Sequence, residues 1–152
     1  MPDNPAPEEI DRWHRWMAAH LFNRAWELLE SEPTPGRDRE LLATALASWL
    51  HWQRVGAAVN HAVAEWQVSR VYAVLGEARR AAAHAQTGLE IAEGAALGPF
   101  YLGYAFESLA RAAAVAGDTV GRDAWLERAR AAAGQVADAE ERTLLLADLE
   151  AV

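Results

Sequence analysis

The 152-residue chain contains no cysteine and no lysine. Without cysteine there can be no disulfide, no thiolate nucleophile and no cysteine-ligated zinc, and thiol usage says nothing of the redox compartment. Without lysine there can be no Schiff base, no pyridoxal attachment and no P-loop. All 14 basic residues are arginine, whose guanidinium cannot stand in for an amine in any of these roles. Serine is scarce, and Ser31, Ser48, Ser69 and Ser108 all stand outside any Gly-x-Ser-x-Gly elbow. A basic tract is missing as well. With a net charge of −8, the chain is expected to bind neither nucleic acid, whose affinity comes from neutralised phosphates, nor an anionic membrane. The opening M-P-D-N-P-A-P-E-E has no apolar run and no basic leader, so neither a signal nor an anchor is expected, and the expected location is the bacterial cytoplasm. No stretch alternates with period two over a useful length, so no strand is expected.

What is present is helical periodicity with an internal repeat. The segment R-V-Y-A-V-L-G-E, Arg70 to Glu77, returns as R-A-A-A-V-A-G-D, Arg111 to Asp118. In each copy an apolar helix runs into a glycine, Gly76 or Gly117, able to take the left-handed turn that ends a helix, and an acid follows where the next helix starts. Each copy therefore reads as the corner of a helical hairpin. The length suits one domain burying about 70% of the surface exposed when unfolded, so no staple is required.

The pattern resembles the tetratricopeptide repeat (TPR), with a longer linker than the usual period of about 34 residues. In the first copy Tyr72 and Gly76 fall on the aromatic and glycine positions of the repeat, and Ala81 on its small residue. In the second, Gly117 is kept while Ala113 replaces the aromatic and Arg122 the small residue. The resemblance covers roughly 62–136, and the whole chain also resembles small bacterial proteins with TPR-like helices. It implies an all-α, right-handed stack of antiparallel hairpins and carries no activity with it.

The expected organisation is a disordered lead over 1–7 and a single helical domain over 8–152. Helices are predicted near 8–30, 38–54, 57–75, 77–93, 100–116, 120–136 and 139–150, the last a cap over the final apolar face. S-E-P-T-P-G reads as a turn, and Gly94, Gly98 and Pro99 as a linker. The third helix, apolar or small almost all round, is predicted to lie at the centre. In the first, Ile10, Met17, Leu21 and Leu28 share one face, whereas Phe22 and Trp26 fall outside it. Those two need a fold-back or a neighbouring chain, which makes them candidates for a homodimer contact.

In the repeat the resemblance invokes, a concave groove is lined from fixed places on each first helix. Here those places hold Val63, Trp66, Arg70, Ala73 and Val74, then Tyr104, Glu107, Arg111, Ala114 and Val115. Helical spacing independently stacks Tyr104, Glu107 and Arg111 on one face, opposite Leu102, Phe106 and Leu109, which are assigned to the core. Trp66, Arg70, Tyr104, Glu107 and Arg111 thus form the expected ligand groove. Two arginines can hold a carboxylate or acidic peptide end while the rings hold an apolar side chain. The plainer reading is that Glu107 pairs with Arg111 or Arg70 and only neutralises a half-buried surface. The carboxylate clamp of chaperone-binding TPR domains uses asparagine and lysine at these places, and neither occurs there.

A second set, His20, Asn23, His51, Asn60, His61 and Glu65, is polar at helix centres. His61 and Glu65, four apart, can reach one metal ion, with His51 or His20 as a third ligand, although the pair is not a His-Glu-x-x-His motif. His14 reads as a hydrogen-bonded core residue and His84 as a lone residue without an evident partner. Six of the seven tryptophans precede residue 67 and read as core, Trp66 excepted. The leading expectation is a non-enzymatic interaction module binding a peptide, protein segment or small acidic ligand, with no cofactor implied. The alternative is a metal-binding protein or metal-dependent enzyme using His51, His61 and Glu65.

Overall fold

A computed structural model describes residues 5–152. Seven helices follow one another: α1 Pro7–Glu30, α2 Pro35–Val55, α3 Ala58–Val74, α4 Ala78–Gly94, α5 Pro99–Val115, α6 Thr119–Ala133 and α7 Ala139–Glu150. The described residues contain no strand. Residues 1–4 of the expected lead lie outside the described residues, and Pro7 is already the first residue of α1, where its missing N–H costs nothing.

The most extensive contacts join α1 to α2, α3 to α4 and α5 to α6. These antiparallel hairpins stack through α2 on α3 and α4 on α5, while the first helices also touch one another, α1 on α3 and α3 on α5. The final helix, α7, caps both α5 and α6. Its Leu145 is fully buried and fits against Gly103 of α5, where a Cβ would overlap the leucine side chain. As its composition predicts, α3 carries nine buried residues and sits centrally. Among the described residues no helix is long and apolar enough to cross a membrane.

The repeated corners are built alike. Gly76 and Gly117 have φ of 78° and 75°. In the first, the amides of Gly76 and Glu77 return to the carbonyls of Ala73 and Tyr72, and in the second those of Gly117 and Asp118 return to Ala114 and Ala113. Asp118 then caps α6 by accepting from the Gly121 amide, while Glu77 at the start of α4 makes no side-chain cap.

The α4–α5 connection differs from the expected linker. Gly94 stays within α4, and the left-handed residue is Ala96 at φ 50°, with the Ala96 and Leu97 amides bonded to Glu93 and Ala92. The same corner is thus made a third time with an alanine. The turn predicted at S-E-P-T-P-G is also shorter than expected: Thr34 caps α2 by accepting from the Arg37 amide, so Pro35 and Gly36 are helical. At the other end, α6 stops at Ala133, and Val136 packs into the core from the loop that follows.

An alanine in the left-handed region costs about 1–2 kcal/mol, of which glycine recovers the steric part at some loss of chain entropy. Ala96→Gly is therefore expected to raise the urea midpoint by an amount equivalent to about 0.5–1 kcal/mol. An unchanged or lower midpoint would contradict the strain assigned to this corner.

Candidate functional site

Contacts between the first helices bring the groove residues together in two layers along α3 and α5. In one layer Trp66 packs on Tyr104 with ring centroids 4.6 Å apart. One turn further on, Arg70 Nη1 donates to Glu107 Oε1 at 3.1 Å and Arg111 Nε donates to the same oxygen at 2.7 Å. Glu107 is completely buried, and both guanidiniums sit at its edge with under a fifth of their side chains exposed. The four-residue spacing on α5 brings Arg111 to Glu107, and the packing of α3 on α5 brings Arg70. The remaining carboxylate oxygen, Oε2, is buried without a partner among the described residues.

This layer sets two guanidiniums against one buried carboxylate and so carries an excess positive charge. Burial pushes the Arg70 guanidinium below its ordinary value and Arg111 adds to that, while Glu107 opposes both. The cost of removing charge from water outweighs the attraction at Arg70, as is usual for buried pairs. Tyr104 extends the network to α7 by donating its hydroxyl to Asp148 Oδ2 at 2.7 Å. Burial, and then that hydrogen bond, push the Tyr104 phenol well above its ordinary value of 10.0.

The aromatic layer opens into a cavity of about 290 Å3 with almost wholly apolar walls. Six rings line it: Phe22 and Trp26 of α1, Trp66 of α3, and Phe100, Tyr101 and Tyr104 of α5. Trp26 meets Trp66 at 5.2 Å between centroids, and Phe100 meets Tyr104 at 5.1 Å. Val63, Ala85 and Gly88 add small surfaces, and Leu144 of α7 closes one side. Phe22 and Trp26, the candidate homodimer contact, are half-buried and line this cavity, where Trp26 meets Trp66 of the same chain. The backbone carbonyl of Phe22 also accepts from Gln67 Nε2, tying α1 to α3.

The second polar set does not converge. His51 Nδ1 lies 2.7 Å from His14 Nδ1, and His61 Nε2 bonds the carbonyl of Trp52 at 3.0 Å. Glu65 accepts from Trp49 Nε1 at 2.7 Å and pairs with His84 Nδ1 at 2.6 Å. Asn60 accepts from the Ala57 amide at the start of α3, and His20 stacks on Trp16. Among the described residues no group of three or more His, Asp or Glu side chains could hold a metal. His84, expected to be alone, thus has a buried carboxylate as its partner and stacks on Tyr72.

The expectation of a tryptophan core needs correction. Trp13 and Trp16 are more than half exposed, and none of the seven tryptophans is fully buried. The other five tryptophans are half-buried at seams between helices, while alanine and leucine, with Tyr72, Tyr104 and Phe106, fill the interior.

Periodicity gave no indication of Asp148, Leu144, Phe100 or the His84–Glu65 pair, because each joins the site through contacts distant in sequence. Compared with protein-family models, curated proteins and solved structures, the chain matches none.

The two sides of the ion network differ in their access to water, which separates their variants. Replacing both Arg70 and Arg111 by alanine leaves an enclosed carboxylate unpaired and is expected to cost about 3–5 kcal/mol. Glu107→Ala is expected to cost less, because both guanidiniums lie close enough to solvent to rehydrate. Urea denaturation of the variants compares them, and equal losses would contradict this account.

Tyr104 also gives the fold an alkaline limit. Its folded value lies above 10.0, so the folded state keeps a proton that the unfolded chain releases, and stability present below about pH 10 is lost as pH rises beyond it. Urea midpoints between about pH 9 and 11 should fall more steeply in the wild type than in Tyr104→Phe. Parallel slopes would remove Tyr104 as the cause.

Proposed function

We propose that the chain is a non-enzymatic, TPR-like interaction module that holds a peptide or small ligand by an apolar group seated between its first helices. The observation that carries this reading is the cavity of about 290 Å3 lined by six aromatic rings from three separate helices. Apolar pockets of this kind, formed where helices meet, are the usual seats of ligand anchors. The repeated corners at Gly76 and Gly117 support the likeness to tetratricopeptide hairpins, whose first helices line the binding face.

The ion network changes the weight of the earlier alternatives. Arg70 and Arg111 already bond Glu107, so an acidic ligand would have to compete with a buried intramolecular carboxylate. An uncharged apolar anchor faces no such competition. The groove arginines then serve to fix α3 against α5 and hold the cavity open.

Random peptides displayed on phage and selected against the whole chain are expected to share an apolar or aromatic residue at one position. Ala105 lines the cavity, so Ala105→Phe should fill it and weaken the selected peptides at least about tenfold while leaving the helical circular dichroism unchanged. Peptides that bind both proteins equally would remove the cavity from this reading.

A further inference from the structure

His14 and His51 face one another across the seam between α1 and α2, Nδ1 to Nδ1 at 2.7 Å. A contact this short is a hydrogen bond, so one Nδ1 carries a proton and the other offers its lone pair. The donor ring keeps a free lone pair on Nε2, and a proton added there leaves the bond in place. A second added proton has only the accepting Nδ1 to go to. Two N–H groups then point at each other between two imidazolium charges, and the contact is lost.

No carboxylate bonds either ring to compensate. Trp13 packs against both imidazoles, at 5.3 and 5.2 Å between centroids. Asp11 of α1 and Arg54 of α2 lie one turn from the pair, both exposed and opposite in charge, so water screens them and they offset one another. The Arg15 guanidinium donates to the Val55 carbonyl, and on α3 His61 is held by the Trp52 carbonyl. Partial withdrawal from water, and then the neighbouring His14, push His51 below its ordinary value of 6.5.

The end of α1 that carries this contact has little else to hold it. From Pro7 to Met17 no residue is fully buried and only Ile10, His14 and Met17 are half-buried, whereas the interior begins at Ala18. The Ser48 hydroxyl donates to the Ala18 carbonyl and Gln67 to the Phe22 carbonyl, so α1 is fastened from Ala18 onward.

We propose that the His14–His51 pair is an acid-sensitive latch that holds the first turns of α1, Pro7 to Met17, on α2 and releases them when both rings are protonated. The closed pair excludes a proton that the parted rings accept, so the latch is shut above about pH 6.5 and opens as pH falls below it. The inference goes beyond the binding-module reading. Phe22 and Trp26 lie past the Ala18 tie and keep their places in the cavity.

Hydrogen exchange of the whole chain, in buffer containing a chelator and corrected for the intrinsic effect of pH, compares about pH 7.5 with about pH 5. Protection over 11–17 is expected to fall at least about tenfold at the lower pH, with 22–30 unchanged. His51→Gln keeps a hydrogen-bonding partner for His14 but removes one titrating ring, and it should abolish the difference. His14→Gln, the mirror variant, takes its place if His51→Gln loses helicity. Equal protection at both pH values in the wild type would overturn the latch. So would a fall that persists in the glutamine variant, which assigns the effect to His20, His61 or His84. Loss of protection over 22–30 together with 11–17 would overturn the boundary at Ala18.

Discussion

The carboxylate of Glu107 is the constraint on which the packing of α3 against α5 depends. It is wholly enclosed, and its Oε1 accepts from α3 through Arg70 and from its own helix through Arg111. A buried charge of this kind tolerates little displacement, because either guanidinium moving away leaves it poorly compensated. It therefore fixes the register of α3 on α5. That register packs Trp66 on Tyr104 one turn away, and both rings line the cavity. Polar groups set the geometry here, and apolar groups occupy the space that results.

The terminal helices complete what α3 and α5 begin. From the N-terminal side α1 contributes Phe22 and Trp26, and from the C-terminal side α7 contributes Leu144 to the cavity and Asp148 to Tyr104. A cap on a stacked array is ordinarily explained by the apolar face it covers. Here α7 also bonds the network that spaces the central helices, so covering the end of the stack and closing the cavity beside α5 are two effects of the same twelve residues.

The architecture was legible because it is local. Seven periodic segments, two repeated glycine corners and an acid beginning each following helix are short-range patterns, and the helices fall within three residues of the ends those patterns predict. The pairing of Glu107 with Arg111 was legible for the same reason, since four residues is one helical turn. The cavity was not. It needs side chains from α1, α3, α4, α5 and α7 at once, and nothing in the periodicity of one helix says which outward-facing ring will meet which. Phe22 and Trp26 were visible as rings without a place, although not as the wall of this one. Ala96 escaped notice because the glycines around it carry the expected turn chemistry and the left-handed residue is the alanine between them. His51, His61 and Glu65 shared suitable chemistry, yet each found a nearer partner than a common centre.

At Gly76 and Gly117 an added Cβ would meet no atom within 4 Å, so both corners open onto empty space. Their geometry is held by amides and carbonyls of the flanking helix rather than by contacts from elsewhere in the fold. The chain thus has two corners that lie outside its packed layers. A reporter group or a tether for immobilisation joined there would stand clear of the aromatic walls and of the network around Glu107.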